Sequence, residues 1–123
     1  MPRLVKLVER FAHRSVARLL ADYRAAGYRV RGAGIVVGSV IDPARIANDH
    51  IRAHAEEGRL FRSVVEQGLR KARVPVRVLV EKELWVRRAL LKQRVTALGE
   101  RVEGPWRAEE KAAAFAAWMA LEP

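Results

Sequence analysis

The sequence predicts a helix-rich α/β fold with a small sheet, in the order α-β-α-β-α-α. Two segments rich in Val and Ile predict strands, and four segments with apolar residues at three- and four-residue spacing predict helices. The helix between the two strands is long enough for a parallel β-α-β crossover. With 123 residues, we expect one α/β domain spanning residues 1–123. Two strands alone make an unstable sheet, so we expect a third strand, either from this chain or from a second copy in a homo-oligomer.

The first helix is predicted over residues 4–26, where the apolar residues form one stripe along the helix. Gly27 follows at the position where a residue of left-handed conformation ends a helix. We expect the stripe, above all Leu4, Val8, Phe11 and Leu19, to pack against the rest of the domain. The whole stripe consists of Leu4, Val5, Val8, Phe11, Ala12, Ser15, Val16, Leu19, Leu20 and Tyr23.

The two strands are predicted over residues 28–38 and 74–80. The first begins with alternating polarity and ends in a continuous apolar run, which is typical of a strand covered on both faces. The second is rich in β-branched residues. The first strand is followed by a loop over residues 39–48, in which Asp42-Pro43 predicts a turn because Asp can bond its own backbone and Pro fixes the next φ.

The remaining helices are predicted over residues 49–72, 83–98 and 106–121. Asn48 or Asp49 is a suitable N-cap for the first of them, and Pro75 ends it. Gly99 ends the second helix, and the Gly104-Pro105 pair separates it from the third.

Composition favours a polyanionic partner. The chain carries 24 Lys and Arg against 14 Asp and Glu, a formal net charge of +10, and no cysteine. Such a field attracts nucleic acid, an acidic membrane surface or an acidic protein, although biased base composition also produces an Arg-rich chain. The absence of cysteine excludes disulfides and thiolate chemistry and fits a cytoplasmic location. No apolar run is long enough for a membrane span.

The basic residues of the first helix form a candidate nucleic-acid interface. At 100° per residue they fall within an arc of about 120°, opposite most of the apolar stripe. Like charges on one face repel one another unless an anion lies there, as in binding to a phosphate backbone. A solvated helix face or contact with an anionic membrane explains the same pattern. The six candidate residues are Arg3, Lys6, Arg10, Arg14, Arg18 and Arg24.

A second cluster combines His50, His54 and Glu57 at spacing i, i+4, i+7 on one helix face. Two His residues four apart can bind one divalent ion, and Glu57 can orient a ring or join as a ligand. His54 also shares a face with the apolar Ile51 and Phe61. We therefore expect His54 to be buried and structural and the protein to need no cofactor, with a divalent metal ion as the alternative.

Four acids near strand ends and helix starts are candidate catalytic residues: Asp42, Glu81, Glu109 and Glu110. Acids from separate elements can converge on two metal ions in phosphoryl transfer. Turn formation and pairing with a helix dipole explain the same residues. The glycines after residue 31 lack the spacing of a dinucleotide-binding loop.

The stretch from Gly32 to Trp85 resembles the middle of a RuvC-type, RNase H-like nuclease domain. It predicts an apolar strand, a long helix and a second strand that ends in the acid of Val78-Leu79-Val80-Glu81-Lys82-Glu83-Leu84-Trp85. The resemblance implies that Glu81 holds a magnesium ion. The closing run Trp106-Arg107-Ala108-Glu109-Glu110-Lys111 is similar to the acid-bearing last helix of that family. The family opens with a strand ending in Asp, whereas residues 4–26 predict a helix, so the resemblance implies a degenerate or rearranged member.

Three functions follow from these observations. The charge and the first helix favour a non-catalytic, nucleic-acid-associated domain. The acids and the RNase H-like resemblance favour a metal-dependent phosphodiester hydrolase. The shortage of strands and the Trp-bearing amphipathic helices favour a protein interaction or assembly module.

Overall fold

The structure, a computed structural model, describes residues 2–38, 42–84 and 89–122, the side chains of residues 2 and 89 excepted. The helix-rich α/β class and the order α-β-α-β-α-α are confirmed. The elements are α1 (Pro2–Ala25), β1 (Ala33–Val37), α2 (Asp49–Lys71), β2 (Val76–Val80), α3 (Glu81–Leu84), α4 (Ala89–Leu98) and α5 (Ala108–Ala120).

Several observed boundaries differ from the predicted ones by one or two residues, and β2 begins at Val76 rather than at residue 74. β1 begins at Ala33 rather than at residue 28, so only the continuous apolar run forms a strand. The predicted helix over residues 83–98 corresponds to α3 and α4, and residues 85–88 between them lie outside the described part of the chain. The last helix begins at Ala108 because Arg107 is its N-cap, with Glu110 accepting from the Arg107 backbone N–H at 3.0 Å.

The two strands pair in parallel, as predicted. Their register runs from Ala33 opposite Val76 to Val37 opposite Val80. Within the described residues the sheet contains these two strands and no third. A strand supplied by a second copy stays a prediction.

The chain divides into two compact units. The first, here called the helical unit, comprises Met1–Arg31 and Ile41–Pro75 and contains α1 and α2. The second, the sheet unit, comprises Gly32–Val40 and Val76–Pro123 and contains both strands with α3, α4 and α5. The expectation of a single domain stays a prediction.

In the helical unit, α1 packs on α2 through one side of the predicted stripe rather than through its centre. The buried residues of α1 are Ala12, Val16 and Leu20, and those of α2 are Val64 and Gly68. On a helix of 100° per residue this face lies about 100° from the centre of the predicted Leu4/Val8/Phe11/Leu19 stripe.

The reason is the close approach of the two helices at Gly68. A Cβ atom added there would lie 3.2 Å from Cδ2 of His13 and 3.4 Å from Cγ2 of Val16. Small and β-branched residues allow this approach, whereas the large side chains of Leu4, Phe11 and Leu19 are left exposed. The prediction that Leu4, Phe11 and Leu19 form the contact is therefore wrong, whereas Leu20 of the same predicted stripe is buried.

The sheet unit contains the larger enclosed core. Leu84, Leu91, Val95, Ala112 and Phe115 form one buried cluster. Val36 of β1 and Leu79 of β2 pack against it, and so does Trp106, whose indole N–H donates to the Val95 carbonyl at 3.0 Å.

The glycines of the first strand allow α5 to lie close to the sheet. A Cβ added at Gly34 would lie 2.5 Å from the Ala116 carbonyl oxygen, and one added at Gly32 would lie 3.0 Å from that of Ala120. The glycine-rich run is thus explained by helix–strand packing.

Local signals in the sequence account for the ends of the helical elements. Gly27 has φ +89° and ends α1 as predicted. The Asn48 side chain accepts from the Ile51 N–H at 3.1 Å and caps α2. Within residues 2–38, 42–84 and 89–122, no helix combines the length and the apolar character needed to cross a membrane.

Candidate nucleic-acid interface and histidine cluster

The six basic residues of α1 lie together on one exposed face of the helix. Each of them is exposed, and their arc of about 120° follows from the helical repeat. Their spacing from residue 3 to residue 24 covers about 31 Å at 1.5 Å per residue. This set, the basic face, consists of Arg3, Lys6, Arg10, Arg14, Arg18 and Arg24.

The basic face is not neutralised by the protein. Within the described part of the chain, none of its six side chains forms an ion pair or a side-chain hydrogen bond. Three ion pairs of the helical unit join Arg52 to Asp49, Arg59 to Asp42, and Arg70 to Glu66. All three involve basic residues of α2, so the charge of α1 is directed to solvent.

The basic residues at the two ends of α1 differ in how they suit the helix dipole, since Arg24 in the last turn is favoured and Arg3 in the first turn is not. The first turn of α1 contains Arg3 and no acid. The helix dipole favours acids at that end, and a cation there costs a few tenths of a kcal/mol or more, up to about 1 kcal/mol. Stability of the isolated helix therefore does not explain why Arg3 stands in the first turn.

Phe11 was expected in the core and lies instead beside the basic face. Its side chain is 73% exposed. On the helical repeat Phe11 lies about 20° from Arg18 and about 60° from Arg14. Leu4 and Leu7 are exposed in the same region. The sequence contains a signal for this arrangement. On the helical repeat, Phe11, Leu4 and Leu7 each lie closer to a basic residue of the arc than to the buried Val16 or Leu20.

The histidine cluster stands on the first turns of α2. The Nε2 atoms of His50 and His54 lie 3.3 Å apart, with ring centroids 4.6 Å apart and ring planes at 89°. Oε2 of Glu57 lies 3.8 Å from Nδ1 of His54. The structure thus brings together all three predicted residues.

The prediction that His54 is buried is wrong. Its side chain is 66% exposed. Ile51 and Phe61 are exposed as well. On the helical repeat Phe61 and His54 lie about 20° and 40° from Gly68, but the close contact with α1 at Gly68 is about two and four turns further along α2.

The start of α2 is fixed by local contacts. Asn48 caps the first turn, and the Arg52 guanidinium pairs with the Asp49 carboxylate. Arg52 also donates to the Ile46 carbonyl at 3.5 Å. These contacts hold the turn from which His50 projects.

The four candidate acids have local roles. Asp42 accepts from the Ala44 N–H at 3.1 Å, lies 3.7 Å from Arg59 and belongs to the helical unit. Glu81 is the exposed first residue of α3, directly after β2. Glu109 and Glu110 lie in the first turn of α5, where acids stabilise a helix. In the described parts of the chain, no three His, Asp or Glu side chains are grouped so that they could hold a metal ion.

A shallow depression in the helical unit is lined by Asp42, Glu56, Arg59 and Ser63 among others. It is open to solvent and contains one ion pair, Arg59 with Asp42. Neither histidine lines it.

Comparison with known proteins adds no relative: no family model, no curated protein and no solved structure matches the chain.

Proposed function

We propose that this chain binds nucleic acid without sequence preference, through the basic face of α1, and carries out no chemistry on it. The observation that carries the proposal is the set of six exposed cations on one helix face, none of them paired within the described residues. A cytoplasmic location, where nucleic acid is accessible, belongs to the same proposal.

The dimensions of the face suit a phosphate backbone. Its length of about 31 Å matches roughly nine phosphates along one strand at about 3.4 Å each. Lys and Arg that neutralise phosphates release condensed counterions, and this release drives binding without reading the bases. Absence of sequence preference follows from that mechanism.

Phe11 supports contact with unpaired bases. Base–aromatic stacking in a cationic groove is the usual mode of single-strand binding, and it contributes about 1–3 kcal/mol per base. An exposed Phe next to Arg14 and Arg18 provides one such ring in a cationic surrounding. We therefore expect a single strand to bind at least as tightly as a duplex of the same length.

The test is fluorescence anisotropy with labelled single strands and duplexes of unrelated sequences over a series of salt concentrations. Neutralising six phosphates gives a slope of log K against log salt of about −5 for duplex and about −4 for single strand. The variant Arg10→Glu, Arg14→Glu, Arg18→Glu should abolish binding. Different sequences of one length should bind equally.

A matched control separates the face from the overall charge. The variant Arg45→Glu, Arg94→Glu, Arg101→Glu changes the net charge by the same amount at three exposed positions outside α1. It should retain most of the binding. Equal losses in the two triple variants, or full binding by the α1 variant, would overturn the proposal.

An anionic membrane is the competing partner for a helix with basic and apolar exposed residues. Vesicles of phosphatidylcholine with and without phosphatidylserine serve as the probe in a sedimentation assay. Binding to the anionic vesicles, with none to nucleic acid, would contradict the proposed function.

A further inference from the structure

The arrangement of His50 and His54 resembles half of a metal coordination sphere. Their Nε2 atoms lie 3.3 Å apart. Two imidazole ligands of a tetrahedral Zn²⁺ ion, each about 2.0–2.1 Å from the metal, are about 3.3–3.4 Å apart. The observed separation therefore fits one ion between the two rings without a change in the backbone of α2.

We propose that His50 and His54 form a two-histidine chelating site for a divalent transition metal of the Zn²⁺ class. Imidazole nitrogen is a preferred ligand of Zn, Cu and Ni, whereas Mg²⁺ and Ca²⁺ prefer oxygen. The inference concerns α2 and does not depend on nucleic-acid binding by α1.

Glu57 prepares His54 for this role. Its Oε2 atom lies 3.8 Å from Nδ1 of His54, the ring nitrogen that is not directed at His50. A small side-chain rotation brings the carboxylate within hydrogen-bond distance of Nδ1, where it would hold the proton and leave the Nε2 lone pair free to bind the metal. Glu57 is thus a positioning residue, and the two Nε2 atoms are the ligands.

The helix fixes the two rings before the metal binds. Residues four apart lie on the same face one turn away from each other, and the first turn of α2 is held by the Asn48 cap and by the Arg52–Asp49 pair. Little ordering of the backbone is then needed on binding. Both rings are exposed, so water or a group from a partner completes the coordination sphere. This makes the site open and exchangeable, unlike a four-ligand structural zinc site.

A hydrogen bond between the rings is the alternative explanation of the 3.3 Å separation. It would leave one imidazole donating to the other and would require no metal. The two explanations differ in whether both rings respond together to added Zn²⁺.

The experiment is calorimetric titration of the full chain, without a histidine tag and freed of metal, with Zn²⁺ and separately with Mg²⁺. We expect one Zn²⁺ per chain, no uptake of Mg²⁺, and a higher melting temperature in Zn²⁺ because the ion binds the folded state preferentially. Histidine ring signals in NMR spectra should shift for His50 and His54 together.

The variants identify the ligands. His50→Ala and His54→Ala should each remove Zn²⁺ binding, and because both side chains are exposed, the folded state should persist. Glu57→Gln should keep both ligands and weaken binding by about tenfold or more. His13→Gln is the matched control, since the chain has three histidines and His13 lies against Gly68. It should bind Zn²⁺ as the unmodified chain does.

Unchanged binding in either His→Ala variant would overturn the proposal. So would the lack of heat and of a melting-temperature shift at millimolar Zn²⁺, or a loss in His13→Gln as large as that in His54→Ala. Failure of nucleic-acid binding in the anisotropy assay would leave these outcomes unaffected.

Discussion

The helical unit and the sheet unit bury their apolar residues to different extents. In the sheet unit, Phe115 is fully buried in a cluster with Leu84, Leu91 and Val95. In the helical unit, Phe11 is 73% exposed although its helix is packed against another. Two helices meet along one line, so each can bury only a narrow stripe, whereas a sheet with several helices encloses a side chain from more directions.

The unit that buries fewer of its apolar residues is also the one that carries the exposed candidate interfaces. The basic face, the histidine pair and the shallow depression beside Arg59 all belong to the helical unit. A helix that packs through Ala12 and Val16 leaves most of its circumference to solvent, and therefore has room for charge and metal-binding side chains. The sheet unit uses its helices mainly to complete a core.

Both units rely on glycine for close packing, but with different neighbours. The nearest atom to a Cβ at Gly34 is a backbone oxygen of Ala116, at 2.5 Å. The nearest atom to one at Gly68 is a side-chain carbon of His13, at 3.2 Å. Backbone cannot rotate away and a side chain can, so the sheet unit should be the less tolerant of added volume.

The largest expected effect on stability is the difference between alanine substitutions at Phe115 and at Phe11. Phe115→Ala should lower the free energy of unfolding by about 3–5 kcal/mol, because it removes a fully buried ring and leaves a cavity. Phe11→Ala should change it by less than about 0.5 kcal/mol, because the ring is already in solvent. Urea unfolding followed by circular dichroism measures both.

Phe115→Leu extends this pair if the alanine variant does not fold. It should lose less stability than Phe115→Ala and more than Phe11→Ala, since most of the volume is kept. A loss at Phe11 equal to that at Phe115 would mean that the large apolar residues of α1 are buried, and the contrast between the units would fail.

A smaller loss is expected from Gly34→Ala. Its methyl group would lie 2.5 Å from the Ala116 carbonyl oxygen, so β1 and α5 must move apart, at a cost of about 1–3 kcal/mol. Gly38→Ala is the control, because no atom lies within 4 Å of a Cβ at that position. Thermal unfolding of the two variants should show a lower melting temperature for Gly34→Ala alone, and equal melting temperatures would count against tight packing of α5 on the sheet.

The smallest effects separate two glycines of α2. Gly58→Ala should raise the free energy of unfolding by about 0.5–1 kcal/mol, because alanine is the better helix former and the site is open. Gly68→Ala should raise the free energy of unfolding by less than Gly58→Ala does, or lower it. Its methyl group would lie 3.2 Å from His13 and 3.4 Å from Val16. The difference between the two variants in denaturant unfolding measures how tightly α1 and α2 pack. Equal gains would show a loose contact.

Much of the secondary structure could be predicted because its signals are local. The left-handed Gly27 ends α1, and the Asn48 side chain caps α2. The continuous apolar run from residue 33 forms β1, whereas the alternating residues before it do not. A cap or a turn depends on groups a few residues apart, so the sequence contains what is needed to identify it.

The candidate site could be predicted in part. The helical repeat placed the six cations on one face, and the i, i+4 spacing placed His50 beside His54, because both are properties of a single helix. The burial of His54 and of Phe11 was predicted wrongly. The Phe11 prediction assumed that the largest apolar side chains of a helix face its partner. The His54 prediction assumed that a packed helix face is covered along its whole length.

By itself, then, the sequence determined the order of the elements, the parallel pairing of two strands, and which side chains share a helix face. Only the tertiary structure decided which of those faces is covered. Helix packing depends on how closely two backbones approach, and the approach at Gly68 favours the small side chains of Ala12 and Val16 over the larger Leu4 and Phe11. That choice leaves the basic face and Phe11 of α1 exposed, because a helix that packs through one narrow face presents the rest of its circumference to solvent.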